Sequence, residues 1–172
     1  MFYLLFVLFL RKAIWYSNVM QIKRKGGENV QVLEKLCEAK SQKCLCEDAL
    51  FISEQFIAVI DGVTAKSDYS HDGKTTGKLA ADIICQVMEK LPPESTMEQT
   101  IHMINQDLEL FYKEHPFPYN RKTMGLQAVC VIYSRHFREI WMIGDCQAKV
   151  DGQLYDNPKK SDAILAHMRA LV

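Results

Sequence analysis

Two aspartates, Asp48 and Asp61, flank a predicted β-hairpin and are the residues best placed to do chemistry. Residues 49–53 and 56–60 are short runs rich in apolar and β-branched side chains, which predict two strands joined around Glu54-Gln55. A symmetric loop centred on that dipeptide places Asp48 directly opposite Asp61. The sequence therefore predicts two carboxylates at the open end of an apolar hairpin.

Two carboxylates in that position need a compensating partner. Directly paired strand residues have Cβ atoms about 4.5–5.5 Å apart, and like charges at that distance destabilise the pair. The carboxyl groups could share a proton, or a hard divalent cation with oxygen ligands could keep both ionised. Alternatively, the strands end earlier and both aspartates are solvated loop residues, since Asp61-Gly62 is itself a common turn dipeptide.

The rest of the chain alternates between strands and helices in blocks. Apolar residues at helical spacing predict a helix over 76–90, and Ser95-Thr96-Met97-Glu98 predicts a capping box that starts a second helix. Strands are predicted over 126–133 and 139–143, and residues 162–172 again show helical spacing. Strands, then two helices, then strands indicate an α+β fold without regular βαβ alternation.

Composition excludes several classes of protein. The chain has 172 residues with 21 basic and 21 acidic side chains, so no global charge favours nucleic acid. Its six cysteines include no C-x-x-C pair, which argues against a zinc site and a disulfide framework. We therefore expect reduced thiols, which are typical of a cytoplasmic protein.

The amino-terminal residues 1–19 are interpreted as an apolar extension preceding a domain over 20–172. Residues 1–10 are apolar, but Arg11 and Lys12 follow, and about 20 apolar residues are needed to cross a bilayer, so no stable membrane span is expected. The polar, Gly-rich stretch 21–28 is interpreted as a linker.

Three short motifs, in order, resemble a known family. They are Lys43-Cys-Leu-Cys-Glu47-Asp48, the FIAVIDGVT stretch containing Asp61-Gly62, and the IWMIGDC stretch containing Gly144-Asp145. Together they are similar to the opening motifs of the PP2C-type (PPM) metal-dependent Ser/Thr protein phosphatases. The resemblance implies the N-terminal part of an αββα sandwich and, as activity, hydrolysis of phosphoserine and phosphothreonine in proteins by a metal-activated water.

The resemblance also implies roles for individual residues. Asp48 and Asp61 would ligate a pair of Mn²⁺ or Mg²⁺ ions, with the Gly62 carbonyl completing one ion's shell. Glu47 would reach an ion through a water. Lys43 lies where the family often carries an arginine that holds the phosphate, although a solvated lysine at a strand edge is the alternative interpretation.

Other features of the chain depart from the family. The resemblance implies that Gly144-Asp145 forms a structural turn. The family's later acidic motifs, however, are not recognisable in this chain, and Cys46 stands where the family usually has an asparagine. We therefore expect an αββα sandwich that is incomplete at the C-terminus. Two functions stay open: a monomeric cytoplasmic phosphatase acting on phosphoproteins, or a truncated, catalytically inactive PP2C-like fragment or binding module.

Overall fold

The computed structural model describes residues 3–8, 18–25, 29–37, 46–63, 66–150 and 152–157. It contains both helices and strands, as the predicted α+β class requires. The helices are α1 (Thr76–Lys90), α2 (Met97–Glu114) and α3 (Arg121–Met124). The strands are β1 (Tyr3–Leu8), β2 (Asn18–Lys25), β3 (Asn29–Cys37), β4 (Ala49–Ile52), β5 (Phe56–Gly62), β6 (Ser70–His71), β7 (Lys74–Thr75), β8 (Ala128–Ser134), β9 (Glu139–Ile143), β10 (Gln147–Val150) and β11 (Gln153–Asp156).

The predicted hairpin is the start of a four-stranded antiparallel sheet with the order β4-β5-β8-β9. Ala49 pairs with Ile60 and Ile52 with Ile57, so the register predicted from the symmetric loop is confirmed. Every residue of β5 is buried. A central strand covered on both faces explains why its sequence is a continuous apolar run rather than an alternating one.

Helix α1 packs on one face of this sheet, and α2 packs against α1 and adds Ile104 to the same apolar cluster. The α1 bounds agree with the prediction over 76–90. The capping box of α2, however, uses Thr96 and Gln99 rather than Ser95 and Glu98. Thr96 has the extended backbone of an N-cap, whereas the Ser95 amide donates to Pro92 O in the preceding turn. The predicted start was therefore one residue early.

A second sheet, with the order β11-β10-β1-β2-β3, covers the other face. Its strands β1 and β2 lie against β5, and Ala148 of β10 packs in a cluster with Ile57 and Val59. Strand β1, from the expected apolar extension, pairs with β2 on one side and β10 on the other. Strand β2 occupies most of the stretch predicted as a linker, so that prediction is wrong up to Lys25: pairing on both sides satisfies its main-chain groups despite its polar sequence.

The predicted helix over 162–172 lies outside the described residues. Within the part that the structure describes, we find no helix that combines the length and apolar character needed to cross a membrane.

Candidate functional site

Asp48 and Asp61 lie at the open end of the β4–β5 hairpin and are both buried. Asp61 belongs to β5 and pairs across the sheet with Val129 of β8, while Asp48 immediately precedes β4. Asp48 is 4% exposed and Asp61 is 2% exposed. The interpretation of both as solvated loop residues is therefore wrong, because neither side chain is open to solvent.

The two carboxylates lie on the same face of the sheet. Leu50 and Val59 are directly paired, and both pack in the cluster between the two sheets. Side chains alternate along a strand, so Asp48, two residues before Leu50, and Asp61, two residues after Val59, share that face. Extending the observed register by one residue places the two aspartates opposite each other, as a shared cation requires.

The Asp48 carboxylate is incompletely bonded. Its Oδ2 atom accepts a long hydrogen bond from Cys46 Sγ at 3.8 Å. Its Oδ1 atom has no hydrogen-bond partner among the residues that the structure describes. Leaving a buried acceptor without a donor costs about 1–3 kcal/mol, and more when the group is charged. A divalent cation beside Asp48 Oδ1 would supply a positively charged partner, and a carboxylate oxygen is a ligand that hard metal ions favour.

Glu47 is held by the first turn of α1. Its Oε1 atom accepts a hydrogen bond from Thr75 Oγ1 at 2.7 Å. The same hydroxyl accepts from the Lys78 amide at 3.3 Å and caps the helix. One side chain therefore fixes both the start of α1 and the orientation of the acidic turn.

Thr75 was not identified from the sequence. A threonine immediately before a helical pattern is a typical N-cap, so the capping role could have been found. Its contact with Glu47 joins residues far apart in the chain, and no local pattern reports such a contact.

Gly62 lets the acidic turn and α1 approach each other closely. A Cβ atom on Gly62 would collide with the main-chain oxygen of Gly77 and lie 2.5 Å from that of Glu47. These are main-chain atoms, which cannot rotate away. Glycine is therefore required for packing here, a reason distinct from the carbonyl ligand that the resemblance implies.

A short hairpin links the Asp61-Gly62 turn to α1. Strands β6 and β7 are joined by Asp72 and Gly73, both with positive φ (50° and 73°), as in the tight turns that Asp-Gly dipeptides favour. This hairpin was missed in the sequence, although Asp72-Gly73 is the signal that predicts it.

A charged cluster follows the hairpin at the beginning of α1. Lys74 Nζ lies 2.8 Å from Asp82 Oδ2, and Lys78 Nζ lies 3.0 Å from Asp82 Oδ1. Burial alone would raise the pKa of Asp82, but hydrogen bonds from the two ammonium groups outweigh it and hold that pKa below its ordinary value. The hydrogen bond to Asp82 correspondingly raises the pKa of Lys74. Asp82 thus carries a negative charge at neutral pH.

The third motif packs beside Asp61. Gly144 has φ of 89°, and a Cβ there would overlap the side chain of Val129, which is the strand partner of Asp61. The Gly144 carbonyl accepts a hydrogen bond from Asn157 Nδ2 at 2.7 Å. Asp145 is half-buried in the same turn. The second and third motifs, distant in sequence, are therefore neighbours.

Three thiols of the core are unsuited to nucleophilic chemistry. Burial raises the pKa of Cys130 to about 12, and that of Cys85 and of Cys146 to about 11. The nucleophilic form of cysteine is the thiolate, so these groups stay protonated at neutral pH. Cys146 Sγ instead donates to Cys130 O at 3.5 Å, a structural contact.

Lys43, predicted to hold phosphate, lies outside the described residues. Within the described ranges no group of three or more His, Cys, Asp or Glu side chains is arranged to hold a metal ion. Comparison with known proteins gives no significant match to any family model, curated protein or solved structure.

Proposed function

We propose that this chain is a PP2C-type, divalent-metal-dependent phosphatase that hydrolyses phosphoserine and phosphothreonine in proteins. The observation that carries the proposal is the burial of Asp48 and Asp61 on one face of the sheet, with Asp48 Oδ1 lacking a hydrogen-bond partner in the described part of the chain. The architecture of two facing sheets with helices on one side supports an αββα sandwich of that type.

The carboxylates would bind Mn²⁺ or Mg²⁺ through the oxygens of Asp48 and Asp61, together with the Gly62 carbonyl. When bound, two such ions lower the pKa of a coordinated water, orient the phosphate and neutralise the charge of the leaving oxygen. Glu47, held by Thr75, would position a water beside the carboxylates. The strand β5, which carries Asp61, is buried along its whole length.

Lys43 would hold the phosphate as a point charge. A lysine lacks the two-pronged donor geometry of arginine, so it attracts the phosphate without fixing its orientation. In full, the proposal is a monomeric cytoplasmic enzyme that acts on phosphoproteins. The family resemblance supports the substrate, and the absence of a C-x-x-C pair supports the compartment.

A catalytically inactive PP2C-like fragment or binding module is the second candidate. It is favoured by the small size of the candidate ligand set, since the described residues bring no third metal-ligating side chain to Asp48 and Asp61. Such a module would bind one cation weakly and hydrolyse nothing.

Hydrolysis of p-nitrophenyl phosphate by the full chain, with Mn²⁺ and with a chelator, distinguishes the two candidates. The phosphatase proposal predicts Mn²⁺-dependent turnover that Asp61→Asn abolishes. Asp68→Asn, a matched change at an exposed position, should leave turnover unchanged. Absence of turnover in a folded chain at saturating Mn²⁺ would favour the inactive module instead.

A further inference from the structure

We propose that His71 and His115 form a binding site for a borderline transition-metal ion such as Ni²⁺, Zn²⁺ or Cu²⁺. The site joins the β6–β7 hairpin to the C-terminal end of α2. It uses none of the residues assigned to the carboxylate site, so it does not rest on the proposed function. Imidazole nitrogens are favoured ligands of these ions, whereas Mg²⁺ and Mn²⁺ prefer oxygen.

The two imidazole rings are in contact although they come from different elements. His71 belongs to β6, and His115 is the C-cap of α2. Their ring centroids are 4.1 Å apart, at an interplanar angle of 66°. Because the rings already touch, an ion with bonds of about 2.0–2.1 Å to a nitrogen of each needs side-chain rotation rather than movement of either element.

A third ring, that of Phe111, packs against both histidines. Phe111 stacks on His115 at 4.5 Å and meets His71 edge-on at 5.5 Å. Both histidines are half-buried, so part of each side chain is accessible to solvent. An ion could reach the pair from solvent and keep water in its remaining coordination positions.

His115 has the orientation expected of a metal ligand. Its Nδ1 atom lies 3.0 Å from the Phe111 carbonyl oxygen. A carbonyl oxygen only accepts hydrogen bonds, so Nδ1 carries the proton and the lone pair is on Nε2. Histidines that bind metals typically donate their other N–H group to a backbone carbonyl or carboxylate in this way.

The charges around the pair favour a cation. His71 Nε2 lies 3.6 Å from Asp72 Oδ2, so a carboxylate beside the pair adds negative charge. Lys74, which faces His71 across the hairpin, has its ammonium group 2.8 Å from Asp82. The C-terminal end of α2 contributes the partial negative charge of the helix dipole. The Lys74 ammonium is therefore neutralised by Asp82 and does not repel a cation beside the rings.

A bound ion would connect the two candidate sites mechanically. The hairpin that carries His71 runs directly into Thr75, which holds Glu47. Clamping His71 to His115 would therefore reduce the freedom of the segment that orients the acidic turn.

Calorimetric titration of the full chain with Ni²⁺, in excess Mg²⁺ to occupy oxygen ligands, tests the proposal. Removing even an indirect partner of a metal typically weakens binding about 10–100-fold, so His71→Gln and His115→Gln should each weaken Ni²⁺ binding about tenfold or more. His102→Gln, at an exposed position on α2, should leave the affinity unchanged. Equal affinities in all four proteins would overturn the proposal.

A measurement on the unaltered chain guards against variants that misfold. Substoichiometric Cu²⁺ should broaden the ring resonances of His71 and His115 first in a proton NMR spectrum. Broadening confined to other histidines, or a thiolate-to-metal charge-transfer band during the Ni²⁺ titration, would assign binding elsewhere and overturn the proposal.

Discussion

Replacing Thr75 with valine tests how α1 holds the acidic turn. Valine keeps the branched shape but removes the hydroxyl, which donates to Glu47 at 2.7 Å and accepts from the Lys78 amide at 3.3 Å. Loss of an N-cap costs about 0.5–2 kcal/mol. Loss of a hydrogen bond to a charged group costs about 1.5–3 kcal/mol, and the half-buried Glu47 argues for the low end.

The expected destabilisation by Thr75→Val is therefore about 2–3 kcal/mol. For a chain of this length it corresponds to a fall in Tm of about 5–10 °C. Thr75→Ser retains the hydroxyl and is the matched control, with an expected change below about 0.5 kcal/mol. Urea unfolding followed by circular dichroism gives the midpoint of the transition. An unchanged slope of the unfolding free energy against urea concentration shows that the variants unfold to a comparable state.

A double-mutant cycle of Thr75→Val with Glu47→Ala separates the two hydrogen bonds. The cap survives Glu47→Ala, whereas the bond between the two side chains is removed by either change. We expect a coupling of about 1 kcal/mol or more, within the usual range for residues in contact. Additivity within about 0.3–0.5 kcal/mol would show that Thr75 only caps α1 and would refute its role at the acidic turn.

Three further measurements test the packing, the charges and the thiols. Gly62→Ala should cost about 3 kcal/mol or more in urea unfolding, because its Cβ meets main-chain oxygens. Gly73→Ala, which has open space but φ of 73°, should cost only about 1–2 kcal/mol, and equal costs would contradict the close-approach argument. The folded-state pKa of Asp82 is lowered, so its stabilisation is present above the unfolded-state pKa and is lost as pH falls through the folded one. Asp82→Asn should therefore lower the urea midpoint at neutral pH but not in acid. A difference in midpoint between the two proteins that does not change with pH would show that ionisation of Asp82 does not stabilise the fold. Burial raises the pKa of Cys130 to about 12 and that of Cys146 to about 11, so both thiols should resist iodoacetamide until the chain is unfolded. Mass spectrometry measures the labelling, and rapid labelling of the native chain would contradict their burial.

Local patterns predicted the hairpin and the first long helix. The register of β4 and β5 follows from loop symmetry and from the match between two apolar runs. Extended by one residue beyond the Ala49–Ile60 pair, that register sets Asp48 opposite Asp61. The bounds of α1 follow from helical spacing that ends before Pro92. In both cases the deciding interactions are close in sequence, so the sequence alone is sufficient.

Contacts between distant segments could not be predicted. Strand β1 pairs with β10, which lies more than a hundred residues later, and apolar composition alone suggested only an extension. The bond from Thr75 to Glu47 and the contact between His71 and His115 depend on how helices and hairpins pack. Neither contact has a periodic signal, because each joins single residues from separate elements.

The start of α2 shows a different kind of error. Ser95 and Thr96 are both good N-cap residues, and each has an acceptor-bearing side chain three positions later, so local chemistry permits two starts. The turn after Pro92 uses the Ser95 amide and leaves Thr96 as the cap. Tertiary context made a choice between alternatives that are nearly equal in propensity.

Binding of Mn²⁺ to the full chain, measured by isothermal calorimetry in the absence of substrate, tests most directly whether Asp48 and Asp61 form a metal site. The proposed site predicts saturable binding that either Asp48→Asn or Asp61→Asn weakens strongly, while Asp68→Asn has no effect. A folded chain that binds no Mn²⁺, or binds it equally well in all three variants, would contradict the account.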